Sequence, residues 1–288
     1  MQRILTLVFL LAVAVPQLHA SGANANIVRW SKGSVQYRNI SNGESTGSED
    51  WRISVHPDGS RTLTTTNRVD RSDTVRTVVM RVAENFRPLE LFASFWYEGA
   101  WVGTSLMTVD GNLLNALATT PSGRITQQVA IPEKFAFIPH PLQSNAWQIW
   151  TYDEAAGGPQ SSTVYDLMVR LKGPGNMIGP MYESVTTLIG REEITVPAGT
   201  FEVDHYKTES GVDMYLTGPD HILVKFDWPA ADQEYVLTSL ENKNHVVVIG
   251  EGPADVLQSF LNSDELKSAM ANAGVSSAPD IYVGEEQS

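Results

Sequence analysis

Residues 74–131 read TVRTVVMRVAENFRPLELFASFWYEGAWVGTSLMTVDGNLLNALATTPSGRITQQVAI, a series of short alternating segments separated by turn chemistry. Apolar and polar side chains alternate through 74–82, 89–97, 101–109, 112–120 and 124–131. That is the period of strands with one face on a core. The breaks between them are Glu98-Gly99, Asp110-Gly111 and Pro121-Ser122-Gly123. An Asp-Gly pair supplies the left-handed backbone that a tight hairpin needs, so segments adjacent in sequence are expected to pair in space as a meander.

The same pattern extends outward in both directions. Pro57-Asp58-Gly59 is a turn in which Pro presets φ and Gly accepts a positive one. TTLIGREEITVPAGTFEVDHYKT (186–208) reads as strand, tight corner, strand. VDMYLTGPDHILVKFDW (212–228) repeats that form around Gly218-Pro219-Asp220, and EYVLTSLE (234–241) closes the sheet. STVYDLMVRLKG (162–173) fits strand or helix equally. The expected fold is mainly β: a large curved antiparallel sheet or incomplete barrel over residues 21–243.

The Pro197-Ala198-Gly199-Thr200-Phe201 corner, the strand from Tyr215 to Val224 and the closing Tyr235 and Leu237 together resemble an uncharacterised family of exported bacterial β-domains. RPLEL (87–91), WVGTSLM (101–107) and GRITQQ (123–128) resemble that family's N-terminal half. The resemblance spans residues 60–241 and implies a curved sheet similar to the lipoprotein-carrier half-barrels, with a hydrophobic concavity. It carries over no catalytic residue. The PAGTF step is therefore read as a corner of the sheet rather than a catalytic loop.

Composition narrows the compartment and the partners. The chain has 288 residues, with 33 acidic side chains against 20 basic ones and a formal charge of −13, which disfavours binding to nucleic acid. MQRILTLVFLLAVAVPQLHA (1–20) has the charged start, short apolar stretch and small-residue end of a secretory signal peptide. A periplasmic or secreted bacterial protein is expected, with no transmembrane segment after cleavage. There is no cysteine, hence no disulfide, thiolate metal site or lipid-anchoring cysteine. Residues 244–288 change character to strand, helix, helix, strand. Ser263 stands as an N-cap, Gly274 as a stop, and Val256, Leu257, Phe260 and Leu261 fall on one helical stripe. This small α+β appendage resembles half of a ferredoxin-like dimeric unit, and is expected to pack on the β domain or to pair in a homodimer.

No stretch announces a reaction. Histidines 56, 140, 205, 221 and 245 have no metal-ligand spacing, and no cofactor motif is present, so neither metal nor cofactor is expected. The most suggestive patch is FIPHPLQSNAWQIWTYD (137–153). His140, fixed between two prolines, is a candidate acid/base with Tyr152 and Asp153, against the alternative of a loop-capping histidine. Read as a strand, the segment would put Gln148, Trp150 and Tyr152 on one face. Trp96, Tyr97, Trp101, Asn145, Trp147 and Trp150 are candidate ligand-binding residues, with core packing as the alternative for any single ring. Three function classes follow. The first is an exported protein binding a hydrophobic or aromatic small molecule or lipid. The second is a cofactor-free lyase, isomerase or hydratase using the same pocket, and the third an envelope assembly protein.

Overall fold

The computed structural model describes residues 27–167 and 177–244, together with residue 264. The segment expected to be a signal peptide (1–20), and all of the expected C-terminal appendage (244–288) but residues 244 and 264, lie outside the described residues.

Fifteen strands form one sheet. Eight come first in the chain: β1 (Arg29–Asn39), β2 (Ser45–Val55), β3 (Arg61–Val69), β4 (Thr74–Val82), β5 (Pro88–Tyr97), β6 (Ala100–Asp110), β7 (Leu113–Thr120) and β8 (Gly123–Ala130). Seven follow: β9 (Phe135–Ile138), β10 (Gln160–Asp166), β11 (Met181–Val196), β12 (Gly199–Thr208), β13 (Asp213–Thr217), β14 (Ile222–Trp228) and β15 (Gln233–Asn244). Their spatial order runs from β8 back to β1, then β15 back to β9. Every pairing is between sequence neighbours except β1 with β15, which joins the two halves. The pairs are antiparallel apart from parallel β9–β10, so the sheet is mixed rather than purely antiparallel.

The meander read from 74–131 is observed strand for strand, because its Gly-bearing turns match the hairpin geometry. Glu98 (φ 49°), Gly99 (φ 71°) and Gly111 (φ 56°) all take the left-handed conformation those turns require. STVYDLMVRLKG contributes β10, a strand as far as Asp166. The edge strands β8 and β9 are consecutive in the chain, linked by residues 131–134, so the sheet curls until its ends approach without closing. Tyr165 of β10 reaches across that gap, its hydroxyl donating to Gln127 of β8 at 2.6 Å.

Inner-face side chains such as Ile53, Leu63, Met80, Leu91, Met107 and Leu114 are fully buried. What covers them is the stretch expected to be a strand. Residues Leu142–Ala146 form a short helix, α1, that passes directly into a 3-10 turn over Trp147–Thr151. This plug lies inside the curl and nearly all of it is buried. Its N-terminal amides have no local cap. Instead the Glu49 carboxylate of β2 accepts from the Leu142 N–H at 2.7 Å and the Gln143 N–H at 3.1 Å. The same carboxylate accepts from the Tyr37 and Thr65 hydroxyls, each at 2.7 Å.

A second tie holds the plug from the other side. The Gly218-Pro219-Asp220 corner reads as a plain turn, but the Asp220 backbone carbonyl accepts from the Trp147 indole at 2.9 Å. The Asp220 carboxylate, almost fully buried, takes Arg61 Nε at 2.8 Å and Arg29 Nη2 at 2.5 Å. One acidic turn residue thus binds β1, β3 and the plug together.

Candidate functional site

The structure distributes the sequence-derived candidates over three places. Trp147 and Asn145 are buried in the plug, and Trp150 is partly buried with its indole donating to the Phe135 carbonyl at 3.0 Å. Trp96 stands exposed on the outer face beside the β5–β6 turn, cross-strand from Trp101, while Tyr97 packs against the core edge. The first group lies in the plug and Trp96 lies on the outer face, and no described cleft is lined by both groups.

His140 is held in a conformation that few residues adopt, with φ at 79°. Its backbone N–H donates to Asn145 Oδ1 at 3.0 Å, which answers for the position of Asn145. Its ring Nε2 lies 2.7 Å from Asp166 Oδ1, and the Tyr182 hydroxyl donates to Asp166 Oδ2 at 2.9 Å. Burial, followed by the Asp166 charge, pushes the Tyr182 phenol up to about 12. Tyr152 and Asp153 are occupied elsewhere: the Tyr152 hydroxyl donates to the Gly158 carbonyl, and Asp153 accepts from the Ala155 N–H. Asp166 and Tyr182 were missed because they are 26 and 16 residues from their partners in this cluster. Strand pairing β10–β11 brings Asp166 and Tyr182 close, and no local spacing could signal that.

One concavity involves the PAGTF corner. β11 and β12 form a long hairpin, bent by a register shift at Leu188/Gly190, whose tip folds over the outer face of β13, β14 and β15. The Ala198 N–H donates to the Leu237 carbonyl at 3.2 Å and pins the tip to β15. Between tip and sheet lies a half-open cleft of about 330 Å³. Its apolar walls are Ile194, Val196 and Pro197 on the hairpin and Val236 on the sheet.

Charged side chains line the rest. Arg38 pairs with Glu234 at 2.5 Å, and Lys225 with Glu234 at 3.0 Å and Asp227 at 2.9 Å. His205 meets Glu192 through Nδ1 at 2.9 Å and Asp213 through Nε2 at 2.8 Å, while its ring stacks on Tyr215 at 4.3 Å. Burial works against the charge of Lys225, yet its two carboxylate partners outweigh that and hold the ammonium above its ordinary value. Asp227 shifts up, burial outweighing Lys225, and its Oδ1 is buried with no hydrogen-bond partner. Among the described residues no group of acidic and histidine side chains could hold a metal ion. The corner itself was legible in the sequence, but the cleft beneath it arises only when the hairpin bends back over the sheet.

No protein-family model matches the sequence. No curated protein matches it either. Among solved structures the chain is similar to a β-barrel-like protein of a domain of unknown function, DUF1849, from Brucella abortus. That pair shares 10% identity over 75% of this chain and 98% of the other, with a TM-score of 0.49. It is also similar to a DUF1089 family protein from Pseudomonas aeruginosa, with 11% identity, coverage of 63% and 89%, and a TM-score of 0.38. Likeness at this level assigns no role to any residue.

Proposed function

We propose that this chain is an exported binding protein whose small-molecule site is the cleft beneath the 196–199 corner. The observation that carries the reading is the cleft itself, whose volume of about 330 Å³ lies within the size of small-molecule sites. Its walls suit a hydrophobic or aromatic body, and Arg38, Lys225, Glu192 and Glu234 offer polar handles at the rim. Filling of the curl by Trp147 and its neighbours moves the binding reading from the interior to this outer face. The charged-then-apolar first twenty residues support export.

The test uses N-phenyl-1-naphthylamine, a neutral apolar probe that brightens on leaving water, titrated into the mature protein. Saturable binding is expected. It should weaken about tenfold in Ile194→Glu, which sets a charge on the partly buried apolar wall. Probe binding that survives Ile194→Glu unchanged, or is absent from the wild type, would refute the cleft. The enzyme reading has the Asp166–His140 pair in its favour, since a carboxylate that orients an imidazole is the arrangement of a general base.

A further inference from the structure

The outer face of β4–β8 carries an apolar row left open to solvent among the described residues. Phe92, Leu106 and Leu117, in direct register across β5, β6 and β7, are 39%, 46% and 39% exposed. Val79 of β4 extends the row beside Phe92. The next row of the same face is uncharged, with Thr77, Ser94, Thr104 and Thr119 in register. An open groove of about 340 Å³ runs over Leu106 and Leu117 toward Thr126 and Gln128 on the edge strand β8. Single exposed apolar side chains are ordinary on a protein surface, whereas several in register form a continuous stripe of the kind that marks a contact surface.

The uneven distribution of charge along the chain indicates the occupant. Residues 27–130 hold 11 basic and 10 acidic side chains, residues 131–244 hold 7 and 16, and residues 245–288 hold 1 and 7. The acidic last segment is therefore repelled by the second half of the sheet, whose outer face sets Asp213, Asp227 and Glu234 side by side on adjacent strands. The uncharged face of β4–β8 offers no such repulsion. A second copy would bring the chain's formal charge of −13 against its own, which disfavours it as the cover. The segment also has the reach. β15 ends at Asn244, in one row with Arg29, Val55, Arg61 and Val82. From there to Leu106 is six strand spacings across the sheet and a few residues along it, roughly 30 Å over the surface. The 12 residues from Asn244 to Val256 extend to about 40 Å.

We propose that the outer face of β4–β8 is the docking surface for this chain's own residues 245–288, with Val256, Leu257, Phe260 and Leu261 laid on the Phe92–Leu106–Leu117 row. Those four are the apolar stripe read from the sequence, and a stripe of that kind needs a matching face to leave water. The contact is apolar at its centre, and the acids of the segment stay at the solvent side, where Arg124 stands exposed at the end of the threonine row.

The chain has no cysteine, so a single introduced thiol reports on its own surroundings. In the full mature chain, Leu106→Cys and Leu117→Cys should react with a maleimide about tenfold more slowly than Ile40→Cys, whose parent side chain is 47% exposed beside the β1–β2 turn. Adding Leu257→Asp and Phe260→Asp together should raise both rates to that of Ile40→Cys. Equal rates at all three thiols with Leu257 and Phe260 intact would mean a bare face and overturn the proposal. Slow labelling that survives the paired aspartates also overturns it, and protection that then grows with protein concentration would identify a second copy as the cover. Leu106→Cys and Leu117→Cys report independently, so if one fails to fold the other decides. The cleft shares no residue with this face, so its reading stands or falls separately.

Discussion

Glu49→Gln is the sharpest test of how the plug is held. Oε1 accepts from the Thr65 hydroxyl and the Gln143 N–H, and Oε2 from the Tyr37 hydroxyl and the Leu142 N–H. An amide keeps the size but replaces one acceptor with a donor. The hydroxyl facing that new NH2 can rotate and accept, whereas the backbone N–H facing it cannot. Flipping the amide only changes which of Leu142 and Gln143 is stranded. One buried N–H without an acceptor costs about 2 kcal/mol. Glu49→Ala removes all four acceptor bonds and opens a cavity, for about 5 kcal/mol. Urea unfolding followed by tryptophan fluorescence gives both values, and hydrogen exchange should show faster exchange at the Leu142 and Gln143 amides. An unchanged midpoint with unchanged protection at both amides would refute the account. The pH dependence has a definite sign. Burial pushes the Glu49 carboxyl above the ordinary glutamate value, with its hydrogen bonds pulling back only in part. The folded state therefore holds the proton more tightly than the unfolded one. This stabilisation is complete below about pH 4.3 and is lost as pH rises through the raised folded value. The wild type's margin over Glu49→Gln should narrow as pH climbs from that point, and a margin that widens would contradict the burial argument.

Two further outcomes are expected. Asp220→Asn withdraws the counter-charge from buried Arg61 and half-buried Arg29, and should lower unfolding stability by about 3 kcal/mol; a loss under about 1 kcal/mol would mean that the Asp220 tie is not structural. In ultraviolet titration, the difference between wild type and Tyr182→Phe should show one tyrosine ionising near 12, against about 10 for a free phenol, because burial and Asp166 both disfavour its anion. Ionisation near 10 would separate Tyr182 from the His140–Asp166 pair.

The hairpins were legible because each was specified locally. A period-two pattern and a Gly-bearing turn lie within one short window, and β5–β6 and β6–β7 needed nothing more. The plug was illegible for the opposite reason. A helix announces itself through its own cap and stripe, whereas α1 has Pro141 at its N-cap position and takes its acceptor from Glu49, 93 residues away. Its side chains are buried on nearly every side, Trp150 alone being partly exposed, so no amphipathic period distinguishes it from the strand that Trp147, Ile149 and Thr151 imitate. The flanking prolines mark His140 as conformationally restricted, and its backbone sits at φ 79°. Its partners depended on the β10–β11 register, which no single-chain spacing encodes.

One three-residue step shows how much of the proposed chemistry depends on register. Glu234, Tyr235 and Val236 alternate across β15, so Glu234 and Val236 face the cleft while Tyr235 faces inward against Tyr37. β1 repeats the arrangement, with Arg38 on the cleft side and Tyr37 within. A slip of one residue in the β1–β15 pairing would send Tyr235 into the cleft and Glu234 against Glu49. The register shift at Ser34/Val35 absorbs an extra residue on β15 and keeps Tyr37 opposite Tyr235. The cleft and the inward-facing tyrosine pair therefore share a backbone but no side chain, and occupancy of the cleft would reach that pair only through β15 itself.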